Sequence, residues 1–168
     1  ERRKARVRIE TSIDKGIAGE KVVMSAEAFN TKKKHSVKPL EILLEDGKSV
    51  YELDYDFGKK ALLWSDADPA LYRLNVSIMG KDEKSVNFGL RNFEVDGILF
   101  SINGNKTFLR GKHDACVFPL TGYTAMDVEE WRRYFRICKE YGINHCRFHS
   151  WCPPEACFEA ADLEGIFL

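Results

Sequence analysis

Two short segments carry side chains suited to binding a polar ligand. The first contains His113 and Asp114, and the second contains Arg147, His149 and Trp151. Imidazole and carboxylate groups can hydrogen-bond hydroxyls, a guanidinium can pair with a carboxylate, and an indole can stack on a ring. Each type also has a structural use, in a loop hydrogen bond, a scaffold ion pair or lid packing. The five residues are candidates for one binding site.

Arg147 lies in a segment that the sequence predicts to be a strand, residues 143–148. Alternate residues of a strand share a face, so His145, Arg147 and His149 point one way while Cys146 and Phe148 point the other. A guanidinium facing an interior can hydrogen-bond a carboxylate from a later strand and keep it ionised. We therefore interpret Arg147 as a site residue in preference to a scaffold ion pair.

The cysteines raise the question of a metal site. Cys146-x-x-His149-x-x-Cys152 places soft ligands close together, but structural zinc usually takes two close pairs separated by a longer loop. Cys146 and His149 also have opposite strand parity, so their side chains diverge. We expect no metal site, and buried, free thiols instead. An odd cysteine count argues against a disulfide framework, and all five fall after residue 115: Cys116, Cys138, Cys146, Cys152 and Cys157.

The acidic residues have structural interpretations. Close pairs in turns lack the full ligand loop of a calcium site, and turn chemistry explains them better. Helical spacing places the C-terminal acidic residues on a solvated face. The sequence therefore nominates no catalytic carboxylate pair. The residues concerned are Asp54, Asp56, Asp66 and Asp68 in turns, and Glu155, Glu159, Asp162 and Glu164 on a helix.

Residues 1–95 predict an all-β domain. Polar and apolar residues alternate at 6–10, and an apolar-rich run follows at 22–29, as in half-buried strands. About seven short strands separated by turn signals favour an immunoglobulin-like β-sandwich. We expect Tyr51, Tyr55 and Phe57 to be exposed aromatics, either interface residues or sugar platforms, which the alternation of a half-buried strand does not distinguish. The other predicted strands are 40–44, 50–55, 61–64, 72–79 and 86–95.

Residues 96–168 predict helices as well as strands, unlike the all-β segment before them. Asn103-Gly104 predicts a tight hairpin turn between strands 98–102 and 106–110. Thr124 and Asp127 form a capping-box pattern ahead of a helix that Gly142 can terminate. Pro153-Pro154 opens a second helix that ends near Gly165, and a further strand begins at 166–168. The face of the first helix predicted to be buried contains Val128, Trp131, Phe135 and Cys138.

The order β-α-β-α-β is typical of a parallel α/β unit with right-handed crossovers. Three strands with two helices leave most of a parallel sheet uncovered, and no helix follows the last strand. We expect a fragment of a longer domain such as a barrel. The predicted fold class is mixed: an immunoglobulin-like β-sandwich at 1–95 and a βαβαβ portion of a longer α/β domain at 96–168.

Charge and hydropathy exclude some function classes. Lys and Arg number 26 against 26 Asp and Glu, so the chain lacks the excess positive charge of a nucleic-acid binder. No stretch is long and apolar enough to span a bilayer, and the N-terminus lacks the apolar run of a signal peptide. A hydrophobic fraction of 44% beside 31% charged residues is that of a folded protein.

Four motifs follow one another in the order of a known enzyme family. The chain resembles glycoside hydrolase family 2, which includes β-galactosidases, β-glucuronidases and β-mannosidases. The resemblance covers essentially the whole chain, and the four motifs together are specific. They are Trp64-Ser-Asp-Ala-Asp-Pro69-Ala-Leu71-Tyr72, then Phe88-Gly89-Leu90-Arg91, then Phe100-Ser-Ile-Asn103-Gly104-Asn-Lys-Thr-Phe108-Leu109-Arg110-Gly111, and last Tyr141-Gly142-Ile143-Asn144-His-Cys-Arg147-Phe-His149.

The resemblance implies a retaining, exo-acting glycosidase of three core parts, of which this chain holds the middle sandwich and the first barrel strands. One catalytic Glu would follow the fourth barrel strand and another the seventh, so both lie beyond this chain, which we expect to be inactive alone. Active sites of such barrels lie at the carboxyl ends of the strands. The resemblance also implies that residues 96–168 are the first βαβαβ portion of a truncated (β/α)₈ barrel. His113 and Asp114, in a loop after its first strand, would line the sugar pocket with Arg147 and His149. Trp151 lies at the same rim, either as a stacking platform for a sugar ring or as a lid-packing residue.

A second function stays open, namely a non-catalytic sandwich module that binds carbohydrate or serves as a scaffold. The expected partners are a carbohydrate substrate and the missing domains of the same polypeptide, with no cofactor. Unpaired cysteines fit a reducing compartment, yet a bacterial periplasmic or secreted enzyme can keep buried thiols reduced, and we favour that location. Sugar specificity and oligomeric state are beyond the sequence.

Overall fold

The computed structural model describes residues 3–12 and 18–168. The chain divides into two units, Glu1–Leu62 with Leu71–Leu90 and Leu63–Ala70 with Arg91–Leu168, and only the described residues of each are discussed. The division falls after Leu90, whereas the sequence analysis places a domain boundary after Val95. The identity of 1–95 and 96–168 as separate domains stays a prediction.

The first unit is a β-sandwich of two antiparallel sheets. A four-stranded sheet has the order β3-β2-β5-β6 and a two-stranded sheet pairs β1 with β4. The strict alternation along β2, where Val22, Met24 and Ala26 are buried, gives the larger sheet its inner face. The strands are β1 Lys4–Glu10, β2 Lys21–Ala28, β3 Ser36–Leu43, β4 Val50–Asp56, β5 Tyr72–Ile78 and β6 Asp82–Phe88.

The expectation that the sandwich aromatics are exposed is wrong. Tyr51, Tyr55 and Phe57 retain only 5%, 4% and 2% of their accessible surface. Tyr51 and Tyr55 lie four residues apart on β4 and so share its inner face. The Tyr55 hydroxyl donates to the Lys38 carbonyl at 2.9 Å, and Phe57 packs edge-on against Tyr72. These side chains form the core of the sandwich.

Two predicted strands of the first 95 residues differ in the structure. Residues 61–64 form no strand, and only Trp64 makes an isolated bridge, to Pro69. Residues 86–95 do not form one strand, because β6 ends at Phe88 and β7, Phe93–Asp96, begins a different sheet. Gly89 to Asn92 interrupt the run, and the two parts belong to different units.

The hairpin predicted at Asn103-Gly104 is confirmed. In the second unit, β8 (Leu99–Ile102) and β9 (Asn105–Thr107) are antiparallel neighbours in a sheet of order β7-β8-β9. Asn103 and Gly104 have φ of 52° and 81°, the positive values that a tight two-residue hairpin turn demands.

Helix α1, Val128–Glu140, follows the predicted periodicity but not the predicted cap. Trp131, Phe135 and Cys138 are buried, whereas Val128 is only half-buried. The N-cap is Asp127, whose carboxylate accepts from the Glu130 N–H at 2.9 Å. Thr124 lies outside the helix, so the capping box is wrong. Within the described residues, no helix has the length and apolar character needed to cross a bilayer.

The parallel β-α-β-α-β order is present, with a correction to its first strand. β10 is Gly111–Asp114 itself, which the sequence analysis placed in a loop after a strand at 106–110. β10 pairs in parallel with β11, His145–Phe148, across α1, and after helix α2, Glu155–Glu164, Phe167 forms an isolated parallel bridge to His145. Residues 3–12 and 18–168 contain no closed barrel.

Candidate functional site

The parallel pair has two distinct faces. Its register joins Gly111 to His145 and His113 to Arg147, so these four side-chain positions share one face. The other face packs on the helices, because buried Cys146 and half-buried Phe148 belong to a cluster with Trp131. The face that carries His113 and Arg147 is turned away from this cluster.

The structure brings three of the five candidate residues together on the open face. The imidazole rings of His113 and His149 lie 5.0 Å apart between centroids, and Arg147 is the strand partner of His113. All three are exposed. Imidazole and guanidinium groups offer hydrogen-bond donors to the hydroxyls or carboxylate of a ligand. Together they form the candidate site.

The neighbouring His145 packs closely against Gly111. A Cβ at Gly111 would lie 2.6 Å from its Nδ1 atom, so only glycine fits there without displacing the ring. Burial lowers the pKa of His145, which favours its neutral form. His145 is therefore a half-buried packing residue next to the three exposed candidates.

Asp114 is not with the other candidates. It lies on the helix-facing side, and its Oδ2 accepts from the Tyr134 hydroxyl at 2.9 Å and from the Lys112 ammonium at 3.1 Å, while Oδ1 accepts from the Cys116 N–H at 3.0 Å. Burial raises the pKa of Asp114, but these three donors outweigh burial and lower it overall. The carboxylate is an ionised, internally paired group.

Trp151 is a packing residue in this structure. Its indole N–H donates to the Asp114 carbonyl at 3.3 Å, and the ring meets Phe118 and Phe148 edge-on. The side chain is half-buried against the helix cluster. Of the two interpretations, stacking platform and lid packing, these contacts favour packing.

The expectation of a solvated acidic face holds for only part of α2. Glu155, Glu159 and Asp162 are exposed. Glu164 is instead 13% exposed and binds Arg132 at 2.7 Å and Arg136 at 2.9 Å, so it ties α2 to α1. The prediction for Glu164 is wrong because a helix face gives no indication of cations on another helix.

A cluster that the sequence did not indicate lies at the opposite end of the parallel strands, and we call it the basal cluster: Asp66, Lys139, Asn144 and Gly165. Buried Asn144 donates to the Asp66 carboxylate at 2.8 Å, and Lys139 donates to the Asp66 and Glu164 carbonyls at 2.6 Å each. Asp66 is therefore more than a turn residue. Lys112 and Tyr134, which bind the Asp114 carboxylate, were not indicated by the sequence either, because residues 111–114 were predicted to form a loop.

The thiols differ sharply in their surroundings. Cys138, Cys146 and Cys157 are buried, whereas Cys116 and Cys152 are exposed. Burial raises the pKa of Cys146 to about 11 and that of Cys157 to about 12, so neither forms much thiolate near neutral pH. The thiolate is the nucleophilic form.

We expect a thiol reagent at pH 8 to modify Cys116 and Cys152 quickly and the three buried thiols only after denaturation. Mass spectrometry of alkylated peptides measures each site. Denatured chain is the control, in which all five should react. Modification of Cys157 in the folded chain at the rate of Cys152 would contradict the assignment.

The sandwich contains a groove of about 850 Å³ beside β1. Its apolar lining is chiefly aliphatic, including Val7, Ile9, Val76 and Val86. Phe88 is the one aromatic among its lining residues, and that ring already packs against Phe57 and Tyr72. The groove offers no free aromatic platform of the kind on which sugar rings stack.

Comparison with known proteins gives concordant results. Residues 1–91 match the family model of Glycosyl hydrolases family 2. The chain is 27% identical over 111 residues to a β-galactosidase of Vibrio cholerae, covering 63% of this chain and 11% of that protein. It is 28% identical over 139 residues to a β-glucuronidase of Paenibacillus borealis, covering 76% and 23%.

A solved structure agrees with the sequence matches. The crystal structure of Parabacteroides merdae β-glucuronidase superposes with a TM-score of 0.68 at 26% identity, covering 97% of this chain and 21% of that one. The chain thus spans between about a tenth and a quarter of the length of these relatives. Since the family model covers more than half of its 168 residues, this chain belongs to glycosyl hydrolases family 2.

Proposed function

We propose that this chain is part of a retaining, exo-acting, β-galactosidase-like glycosidase and that His113, Arg147 and His149 form part of its sugar pocket. The observation that carries the proposal is their position: three exposed hydrogen-bonding side chains at the carboxyl ends of two parallel strands, on the face away from the helices. Barrel enzymes build their active sites at that end.

The parallel strands are the first part of a (β/α)₈ barrel in this proposal. Three observations support it: the parallel register of β10 and β11, the parallel bridge at Phe167, and helices packed on one face. Later strands would complete the barrel and supply the two catalytic carboxyl groups, about 5 Å apart in a retaining enzyme. The present chain is then inactive by itself.

Arg147 has the most specific role in the proposed pocket. It is exposed on the open face, so its guanidinium is available to a carboxylate that a later strand brings to the pocket. Such a charge-assisted bond lowers the pKa of the carboxylate and keeps it ionised, as a nucleophile must be.

The test uses aryl glycosides and two proteins, this chain and a longer family 2 polypeptide that contains it. We expect turnover only by the longer polypeptide, and Arg147→Ala in it to lower kcat about 100-fold or more, since lost electrostatic stabilisation has effects of that order. Arg133→Ala, at an exposed position on α1, is the matched control and should keep full activity.

Hydrolysis by the chain alone would refute the assignment of the catalytic carboxylates to later strands. Equal activity of Arg147→Ala and Arg133→Ala would refute the role of Arg147. The alternative, a carbohydrate-binding sandwich, has less support because the groove in that unit lacks a free aromatic ring.

A further inference from the structure

The buried side chain of Asp114 connects three elements of the second unit. Its carboxylate receives the Lys112 ammonium from its own strand, the Tyr134 hydroxyl from α1, and the Cys116 N–H from the following loop. Lys112 and Tyr134 also hydrogen-bond each other. The residue is 7% exposed, and both carboxylate oxygens are engaged within the protein. A sugar hydroxyl would have to compete with these donors.

The backbone of the same residue holds the corner that follows β11. The Asp114 carbonyl accepts the His149 N–H at 2.7 Å and the Trp151 indole N–H at 3.3 Å. Ser150, between them, has φ of 61°, a left-handed conformation that is unfavourable for a residue other than glycine. Contacts around such a residue must hold it in that conformation, and here both flanking residues bind one carbonyl.

We infer that Asp114 is a positioning residue: its carboxylate anchors the end of β10, and its carbonyl fixes the corner 149–151 that sets His149 beside His113. This inference rests on the proposed function only in taking a sugar as the ligand of the His113 and His149 imidazoles. It assigns Asp114 a role different from the sugar contact that the family resemblance suggests. The roles of Lys112 and Tyr134 follow, since they hold the carboxylate.

A carboxylate suits this position better than an amide. All three groups that face Asp114 are donors, and one of them carries a positive charge. An asparagine side chain would keep the shape but would turn an NH₂ group toward donors, leaving the Lys112 ammonium without its counter-charge. Asp114→Asn therefore removes the anchor with little change in volume.

The test is amide hydrogen exchange on this chain. We expect Asp114→Asn to speed exchange at the His149 N–H and the Trp151 indole N–H by about tenfold or more, because local opening of the corner becomes easier. The Cys146 N–H, which donates to the Phe167 carbonyl at 2.8 Å in the same parallel unit, is the internal reference. Its exchange should stay within about twofold.

Tyr134→Phe is a second, milder variant in case Asp114→Asn does not fold, and it should act in the same direction. Tyr55→Phe is its matched control, because it removes a buried hydroxyl hydrogen bond in the other unit. Equal acceleration at His149 and Cys146 would mean general loss of stability and would overturn the inference. So would unchanged exchange at His149.

Kinetics of the longer polypeptide separate this inference from the proposed function. A positioning role predicts that the loss of kcat/KM in Asp114→Asn accompanies faster exchange at the corner, whereas a direct sugar contact predicts a raised KM with unchanged corner exchange. The second pattern overturns the inference. Absence of glycosidase activity in the unaltered longer polypeptide would refute the proposed function alone, since the exchange experiment does not depend on activity.

Discussion

Gly165→Ala should destabilise the second unit by about 3 kcal/mol. Gly165 follows α2 with φ of 75°, and a Cβ there would lie 2.6 Å from the backbone oxygen of Asp66. The left-handed conformation costs a residue with a Cβ about 1–2 kcal/mol. Forced overlap in a packed region adds about 1–3 kcal/mol. Urea unfolding followed by tryptophan fluorescence measures the effect.

Gly142→Ala is the matched control. Gly142 follows α1 with φ of 77°, but no atom lies within 4 Å of its added Cβ. Gly142→Ala should therefore lose only the conformational part, about 1–2 kcal/mol. All three tryptophans, Trp64, Trp131 and Trp151, belong to the second unit, so their fluorescence reports that unit alone. Equal losses in the two variants would contradict the contact with Asp66.

Asn144→Ala should also destabilise the second unit by about 3 kcal/mol. The Asn144 side chain donates to the Asp66 carboxylate at 2.8 Å and the Phe108 carbonyl at 3.1 Å, and accepts from the Arg110 N–H at 2.8 Å. The residue is 3% exposed, so water cannot fully replace these bonds. Each buried polar group left without a partner costs about 1–3 kcal/mol.

The control for this variant is Asn87→Ala. Asn87 is exposed on β6 and its side chain accepts one bond, from Arg73 at 3.2 Å. Such surface changes are usually within about 0.5 kcal/mol. The same urea titration, with circular dichroism added for the sandwich, compares the variants. A loss for Asn144→Ala as small as that for Asn87→Ala would refute the basal cluster as a source of stability.

Local patterns predicted the elements that depend on neighbouring residues. The spacing of Trp131, Phe135 and Cys138 identified the buried face of α1, and Asn103-Gly104 identified a turn, because both depend on local geometry. Alternation along a strand requires Tyr51 and Tyr55 to share one face of β4, and both are buried. It could not tell which face is inward, since only the second sheet of the sandwich decides that.

Features that depend on distant partners were not predictable. Gly111–Asp114 contains none of the residues enriched in strands, Val, Ile, Thr, Phe, Tyr or Trp, so nothing local marks it as a strand. Its pairing with β11 makes it one. In this strand pair, His113 and Arg147 point to one face, and Asp114 points to the opposite face. The bond from Asn144 to Asp66 joins residues 78 positions apart, and no sequence window contains both.

The second unit is discontinuous in the chain, and this affects the order in which it can fold. Trp64 donates to the Asp162 carbonyl across 98 positions and packs against Phe167. During synthesis, residues 63–70 leave the ribosome long before these partners exist. The closing contacts have high sequence separation, which slows folding. The last step in assembling this unit must therefore wait for α2 and Phe167, whereas the sandwich strands are already available by residue 88.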